Sequence, residues 1–207
     1  MRVIVATRNA HKLREIRAIL GSGGVELVGL DAFPSAPEVE EDEETFEGNA
    51  VKKAVTVARA CGLPALGDDS GLEVFALNSA PGVRSARYAG EPPDHAANNR
   101  KLLDALRAAT DRRARFRCVL ALAAPDGSVR TVEGRCEGSI ATVPRGVHGF
   151  GYDPVFLPEG AERTFAEMEP AEKNRLSHRA RALMAARSVW NEFRATADVP
   201  HPRPAGR

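Results

Sequence analysis

Two adjacent aspartates, framed by glycines and enclosed by apolar residues, constrain this chain more than any other stretch: Leu66-Gly67-Asp68-Asp69-Ser70-Gly71-Leu72. Leu63-Pro64-Ala65-Leu66 leads in and Leu72-Glu73-Val74-Phe75 leads out. Neighbouring carboxylates repel, so a fold that keeps them together must supply compensating charge. A hard cation such as Mg²⁺ suits the pair, because it takes oxygen ligands and bridges to phosphates. Gly67 and Gly71 predict a sharp backbone turn with room for a ligand. Taken alone, the same residues also read as a solvated Asp-Asp turn, since Asp, Ser and Gly are turn formers.

Composition bounds the rest. A chain of 207 residues, 43% of them hydrophobic, has enough apolar material for one α/β domain or two small lobes. A net charge of +1 gives no global field toward nucleic acid or an anionic membrane, so a polyanion site must be a local cluster of Lys and Arg. Neither nucleic acid nor membrane is expected as a partner. The apolar run Val3-Ile4-Val5-Ala6 is too short for a signal peptide or a membrane span. Cys61, Cys118 and Cys136 are odd in number and lack zinc spacing, so they read as buried thiols in a reduced, cytoplasmic setting.

Residues 2–6 predict a short buried strand, followed by Thr7-Arg8-Asn9-Ala10-His11-Lys12 and a helix. Leu13, Ile16, Ile19 and Leu20 give that helix an apolar face, and Gly21 with Gly23-Gly24 ends it. A strand, a polar turn and a helix start aim backbone N–H groups and the positive dipole end at one spot, which suits a phosphate. Lys12 reaches the same spot; an ordinary helix capped by Asn9 explains the segment equally well. Residues 25–30 predict a second strand. The run Glu38 to Glu44 is a solvated acidic face, or a loop with one carboxylate turned inward as a metal ligand. Thr45 caps a helix over 45–61, on which Asn49 and Lys53 share a face; a surface lysine is the plain reading there.

Further on, 94–109 predicts a helix, 114–124 a strand, and Asp126-Gly127 a hairpin turn. Residues 129–143 form the returning strands, with Gly134 and Gly138 read as bulges. Phe150, Gly151, Tyr152 and Asp153 stand in a glycine-rich loop that offers a purine a stacking face, or simply plugs the core with aromatics. Pro170 opens a short helix carrying Lys173, and Ser177 caps the last one, which begins His178-Arg179 and packs through Leu183, Ala186, Trp190 and Phe193. Lys173, His178 and Arg179 are donors at helix starts, where cations gain nothing from the dipole, which points to an anionic or acceptor-bearing partner. Residues 195–207 read as a frayed tail beyond a domain spanning 1–194.

In this order and spacing, Thr7-Arg8-Asn9-Ala10-His11-Lys12, Gly67-Asp68-Asp69-Ser70-Gly71-Leu72, Gly149-Phe150-Gly151-Tyr152-Asp153-Pro154 and Lys173 with Ser177-His178-Arg179 resemble the noncanonical purine nucleoside triphosphate pyrophosphatases, the inosine triphosphatase family. Thr45-Phe46-Glu47-Gly48-Asn49-Ala50 also resembles a family segment, with Gly48 where Glu is commoner; Arg8 stands where Gly is common. The resemblance implies an α/β fold: a long, mixed, twisted sheet flanked by helices, in two lobes with a cleft. It implies Mg²⁺-dependent hydrolysis of ITP, dITP and XTP to monophosphate and pyrophosphate, by a homodimer that clears deaminated purines from the nucleotide pool.

Carried over by motif, Asp69 would be general base and metal ligand, with Glu40 as the second metal carboxylate, Glu41 the near alternative, and Asp68 in support. Lys12, Lys53, Ser70 and the turn from Thr7 onward would hold the phosphates. Phe150 would stack on the base and Tyr152 shape the pocket; His178 and Arg179 would donate to the 6-oxo group, and Asp153 would accept from N1–H. A pyrophosphatase for other nucleotides, a nucleotide sensor without catalysis and a nucleic-acid binder are the rival readings. The retained Asp68-Asp69 and Lys12 speak against the second, and the near-neutral charge against the third.

Overall fold

A computed structural model describes residues 1–21 and 25–197, with residue 188 and residues 191–197 described by backbone alone. Six strands form one mixed sheet in the order β2-β1-β3-β4-β5-β6. β1 (Arg2–Val5) lies parallel to β2 (Glu26–Gly29) and β3 (Ala65–Val74). β4 (Arg113–Ala123), β5 (Val129–Ile140) and β6 (Phe156–Pro158) follow antiparallel. α1 (Ala10–Leu20) joins β1 to β2, α2 (Phe46–Cys61) precedes β3, and α3 (His95–Ala105) lies between β3 and β4. α4 (Pro170–Leu176) and α5 (His178–Ala197) close the chain. The expected α/β class and mixed sheet are present.

Strand alternation divides the core. Leu66, Cys118, Leu120 and Leu122 pack with Val3 and Val5 against Ile16 and Leu20 of α1 and Leu183, Ala186 and Trp190 of α5. Their strand neighbours Ala65, Val119, Ala121 and Ala123 pack with Ile4 against Phe46, Ala50, Ala54 and Val57 of α2. Successive residues of a strand point to opposite faces, so α2 covers one face and α1 with α5 the other. A third cluster gathers Leu72, Phe116, Ile140, Tyr152, Phe156 and Phe165 beyond the middle of β3.

The glycine-framed aspartates correct the expected turn. They lie inside β3, paired residue by residue with β4 from Ala65↔Ala123 to Val74↔Ala114. The glycines serve close approach. A Cβ on Gly67 would lie 2.1 Å from the Ala50 carbonyl oxygen of α2, and one on Gly71 would lie 2.5 Å from the Gly82 carbonyl oxygen. Gly134 and Gly138 are likewise no bulges, for β5 pairs with β4 without a break. A Cβ on Gly134 would lie 2.2 Å from the His178 carbonyl oxygen, so bare backbone lets α5 seat on β5.

Asn9 caps α1, Thr45 caps α2 and Asp94 caps α3, each accepting backbone N–H groups of the first turn. Ser177 Oγ accepts from the Ala180 amide at the start of α5. α3 stops at Ala105, four residues before the expected end, and β5 stops at Ile140 rather than 143. The backbone of α5 continues to Ala197, past the expected boundary at 194. The expected stop at Gly23-Gly24, the packing of Phe193 and the tail from 198 lie outside the described residues. Among the described residues no helix is long and apolar enough to cross a membrane.

Candidate functional site

β1 ends early. It pairs with β3 only at Ile4↔Ala65 and Val5↔Leu66, and the Ala6 amide donates to the Leu66 carbonyl at 2.8 Å. β3 runs on for eight residues beyond Leu66. The next carbonyl on that edge belongs to Asp68, and two ammonium groups meet it where a strand partner would stand. Lys53 Nζ donates to it at 2.6 Å and Lys12 Nζ at 3.4 Å. Farther along, the Leu72 amide donates to Ser85 Oγ, in the 3-10 segment Gly82–Arg87.

Asp68 and Asp69 are both buried, on opposite faces of β3. Asp68 faces α1 and α5. Lys12 Nζ lies 2.8 Å from its Oδ1, Arg179 Nε 2.7 Å from its Oδ2, and Ser70 Oγ donates to Oδ1 at 3.1 Å. Burial pushes the Asp68 carboxyl upward, but Arg179 and Lys12 outweigh it and hold it well below the usual range. Asp69 faces α2. Asn49 Nδ2 donates to its Oδ2 at 3.1 Å and Lys53 Nζ to its Oδ1 at 3.4 Å. Here burial prevails over Lys53 and Lys12, and with Glu41 nearby the Asp69 carboxyl is raised.

Lys53 is not the surface lysine of the plain reading: it is 6% exposed and also pairs with Glu41 Oε1 at 2.7 Å. Arg87 Nη2 donates to the Glu41 carbonyl at 2.8 Å and so holds the acidic loop against the cluster. Glu40 is exposed on the wall of a cavity that Glu41 and Lys53 also line. That cavity, about 600 Å³, is also lined by Thr7, Arg8, Asn9, Lys12, Lys53 and Arg87. Arg8 reaches the Ala36 carbonyl at 3.4 Å. The turn amides are engaged locally: Asn9 N donates to Thr7 Oγ1, and His11 N and Lys12 N donate to Asn9 Oδ1. Ala10 opens α1 between them.

A second cavity, about 440 Å³, lies on the other side of the α1 N-terminus, with His11, Glu15, Phe150 and Lys173 on its wall. The half-buried Phe150 ring is 5.1 Å from the His11 ring, with Lys173 Nζ 5.0 Å from its centroid. Asp153 is buried and accepts from the Phe150 amide at 2.8 Å and from Lys173 Nζ at 2.5 Å. Burial raises its carboxyl against the pull of Lys173. Gly151 takes a positive φ of 64° in this turn, and its carbonyl accepts from Asn99 Nδ2 at 3.0 Å. Tyr152 is in the core, donating through its hydroxyl to the Ser85 carbonyl at 2.9 Å. His178 stacks on Phe116 with centroids 4.6 Å apart. Burial, then Arg179 and Lys173, push the His178 imidazole well below its ordinary value.

Glu15 joins the two halves. It pairs with Lys173 at 2.9 Å and with Arg179, completing a chain Asp153–Lys173–Glu15–Arg179–Asp68–Lys12 that is buried except at the partly exposed Glu15 and Lys12. Opposite charges in one low-dielectric chain hold one another in place, and removal of one link leaves its partners uncompensated. Sequence reasoning did not single out Glu15; it placed Asn49 on the face of Lys53 and Arg87 near the acidic centre but gave neither a role. Glu15 stands three residues after Lys12 on α1, and Asn49 four before Lys53 on α2, so a shared helix face was the available signal.

The sequence model of the Ham1 family matches residues 3–189. A dITP/XTP pyrophosphatase of Syntrophobacter fumaroxidans is 57% identical over 182 residues, 88% of this chain and 78% of that protein. One from Streptomyces coelicolor is 50% identical over 196 residues, 93% of this chain and 98% of that protein. Among solved structures, a HAM1 protein from Coxiella burnetii matches with a TM-score of 0.84 at 44% identity, over 93% of this chain and 99% of that one. The Staphylococcus aureus Ham1 protein matches with 0.83 at 37% identity, over 93% and 100%. The matched span takes in every segment of the site from Thr7 to Arg179, and the chain belongs to the Ham1 family.

Proposed function

We propose that this chain hydrolyses dITP, ITP and XTP to the nucleoside monophosphate and pyrophosphate, with Asp69 as the base that activates water. The observation that carries the reading is the geometry of one buried carboxylate, hydrogen-bonded by Asn49 and Lys53 beside a cavity lined by Lys12, Lys53, Arg8 and Arg87; burial raises that carboxyl in the metal-free chain. A general base needs a pKa brought toward the working pH, and a triphosphate needs cations.

Lys12 and Lys53 would shift part of their charge from Asp68 and Glu41 to the phosphates, with Ser70 held beside them by Asp68 and Arg179. Asp69 would take the proton of a water aimed at the α-phosphorus. The purine would occupy the second cavity against Phe150, and the two cavities would then serve as the ends of one cleft between lobes. Lys173 and Asp153, with His178 and Arg179 behind them, would present the donors and acceptor that a 6-oxo, N1–H edge requires. Adenine presents the reverse pattern and would leave buried groups unpaired.

The residues fit Mg²⁺. The Lys53 ammonium is a cation already among three oxygens, Glu41 Oε1, the Asp68 carbonyl and Asp69 Oδ1. Among the described residues no group of three His, Cys, Asp or Glu forms a metal cage by itself. Mg²⁺ typically binds through one or two carboxylates together with substrate phosphates. Asp69 with Glu41 or Glu40 would hold it, and when bound it would offset charge on the phosphoryl oxygens. In this reading the enzyme is a homodimer working in the cytoplasm, and light scattering of the purified chain tests the dimer.

The deciding experiment is a phosphate-release panel over dITP, ITP, XTP, dGTP and dATP, with and without inorganic pyrophosphatase and with and without Mg²⁺. The 6-oxo deaminated purines are expected to give the highest kcat/KM, with pyrophosphate as the product. Equal values for all five, or release of orthophosphate with a diphosphate, would sink the proposal.

A further inference from the structure

We infer that Asn49 is a positioning residue that fixes the Asp69 carboxylate and the acidic loop in one arrangement, so that Asp69 and Glu41 meet the same triphosphate. Its catalytic part rests on the proposed function. Asn49 is 1% exposed, in the first turn of α2. Its Nδ2 donates to Asp69 Oδ2 at 3.1 Å and to the Glu43 carbonyl at 3.3 Å, while its Oδ1 accepts from the Glu43 amide at 3.1 Å. The three bonds leave one orientation for the amide. Turned over, it would set its oxygen against a carbonyl and a carboxylate, and its NH₂ against an N–H.

A clip that served the fold alone would need only the two bonds to Glu43. The third ties the loop to the reacting carboxylate. Lys53, one helical turn later, makes a parallel link, joining Glu41 Oε1 at 2.7 Å and Asp69 Oδ1 at 3.4 Å. The two links differ in charge. An arriving phosphate competes for the Lys53 ammonium and draws it from its carboxylates. The neutral amide of Asn49 feels no such pull and keeps the loop and Asp69 in register while the substrate is held. Asn is also the shortest side chain that both donates and accepts through separate atoms, which this crowded helix start demands.

The test compares Asn49→Ala with Asn49→Asp. The aspartate retains an acceptor for the Glu43 amide and offers no donor to Asp69. The readouts are kcat and KM on ITP, folded fraction by thermal melting, and digestion of the metal-free, nucleotide-free chain by a glutamyl endopeptidase, which cuts after Glu41 and Glu43. In Asn49→Ala, kcat is expected to fall by about ten- to a hundredfold, as for other groups that orient a metal-binding or reacting side chain, with KM changed less than about twofold. Its acidic loop should be cut faster than in the unaltered chain. Asn49→Asp should lose as much kcat with a loop cut more slowly than in Asn49→Ala. Unchanged kcat in Asn49→Ala, an unchanged digest, or loss of turnover matched in both variants by loss of folded protein overturns the inference. If the unaltered chain releases no pyrophosphate from ITP, the proposed function fails separately, and the digest still decides whether Asn49 holds the loop.

Discussion

Asp68 and Asp69 are neighbours in sequence, in the same strand, both buried, and their surroundings have little in common. Asp68 is met by Arg179 and Lys12 within 2.8 Å and is held ionised. Asp69 is met by an amide and a more distant ammonium, and burial raises it. The pleat of β3 sends one toward the α1 and α5 face and the other toward α2. One dipeptide therefore supplies a structural anion and, in the proposed mechanism, a reactive one, and the helix opposite each sets the difference between them.

The largest expected effect is on the reactive side. Asp69→Asn should keep nucleotide binding and the melting temperature while kcat falls by about 10² to 10⁴, the range for loss of a general base. Steady-state kinetics beside a binding isotherm checks this; near-normal kcat would remove Asp69 from the role. The mirror substitution, Asp68→Asn, should act first on stability. It leaves Arg179 with the Glu15 carboxylate and the Ser70 hydroxyl, and Lys12 without its carboxylate, so about 3–5 kcal/mol of unfolding free energy is expected to go, as for other broken buried pairs. Denaturant titration reads it, and an unfolding midpoint equal to that of the unaltered chain would end the contrast.

Gly67→Ala is expected to cost about 1–3 kcal/mol, because its new Cβ lies 2.1 Å from the Ala50 carbonyl oxygen. Displacement of α2 would also carry Asn49 and Lys53 away from Asp69, so kcat should fall beyond what the folded fraction explains. The smallest effect is a separation of two titrations. In the metal-free chain, carboxyl NMR should place the Asp69 midpoint above the usual aspartate value of about 3.9 and the Asp68 midpoint below it. A lowered folded pKa contributes stability above the unfolded value and loses it as pH falls through the folded value. Acidification should therefore neutralise Asp69 first and erode the stability from Asp68 afterwards, and coincident midpoints would refute the difference.

Much of this was readable from residues. The β1–α1 unit, the Asn9 and Thr45 caps and the Asp126-Gly127 hairpin follow from local rules, and all are present. The two aspartates were not readable as a strand. Gly, Asp and Ser favour turns locally, and only the ten-residue pairing with β4 and the closeness of α2 override that preference. The place of Lys53 was hidden for a related reason: a lysine reads as exposed until the three oxygens that the acidic loop and β3 bring around it are known. Glu15 escaped because its partners, Lys173 and Arg179, lie more than 150 residues further along the chain.

β1 gives out after Val5 while its neighbour continues, and that mismatch has an evolutionary consequence. Were the first strand extended by two residues, its amides would claim the Asp68 carbonyl and zip the seam that the two lysines now enter. The length of that strand is thus a constraint separate from its side chains, and insertions there should be tolerated far less than in the hairpin at Gly127.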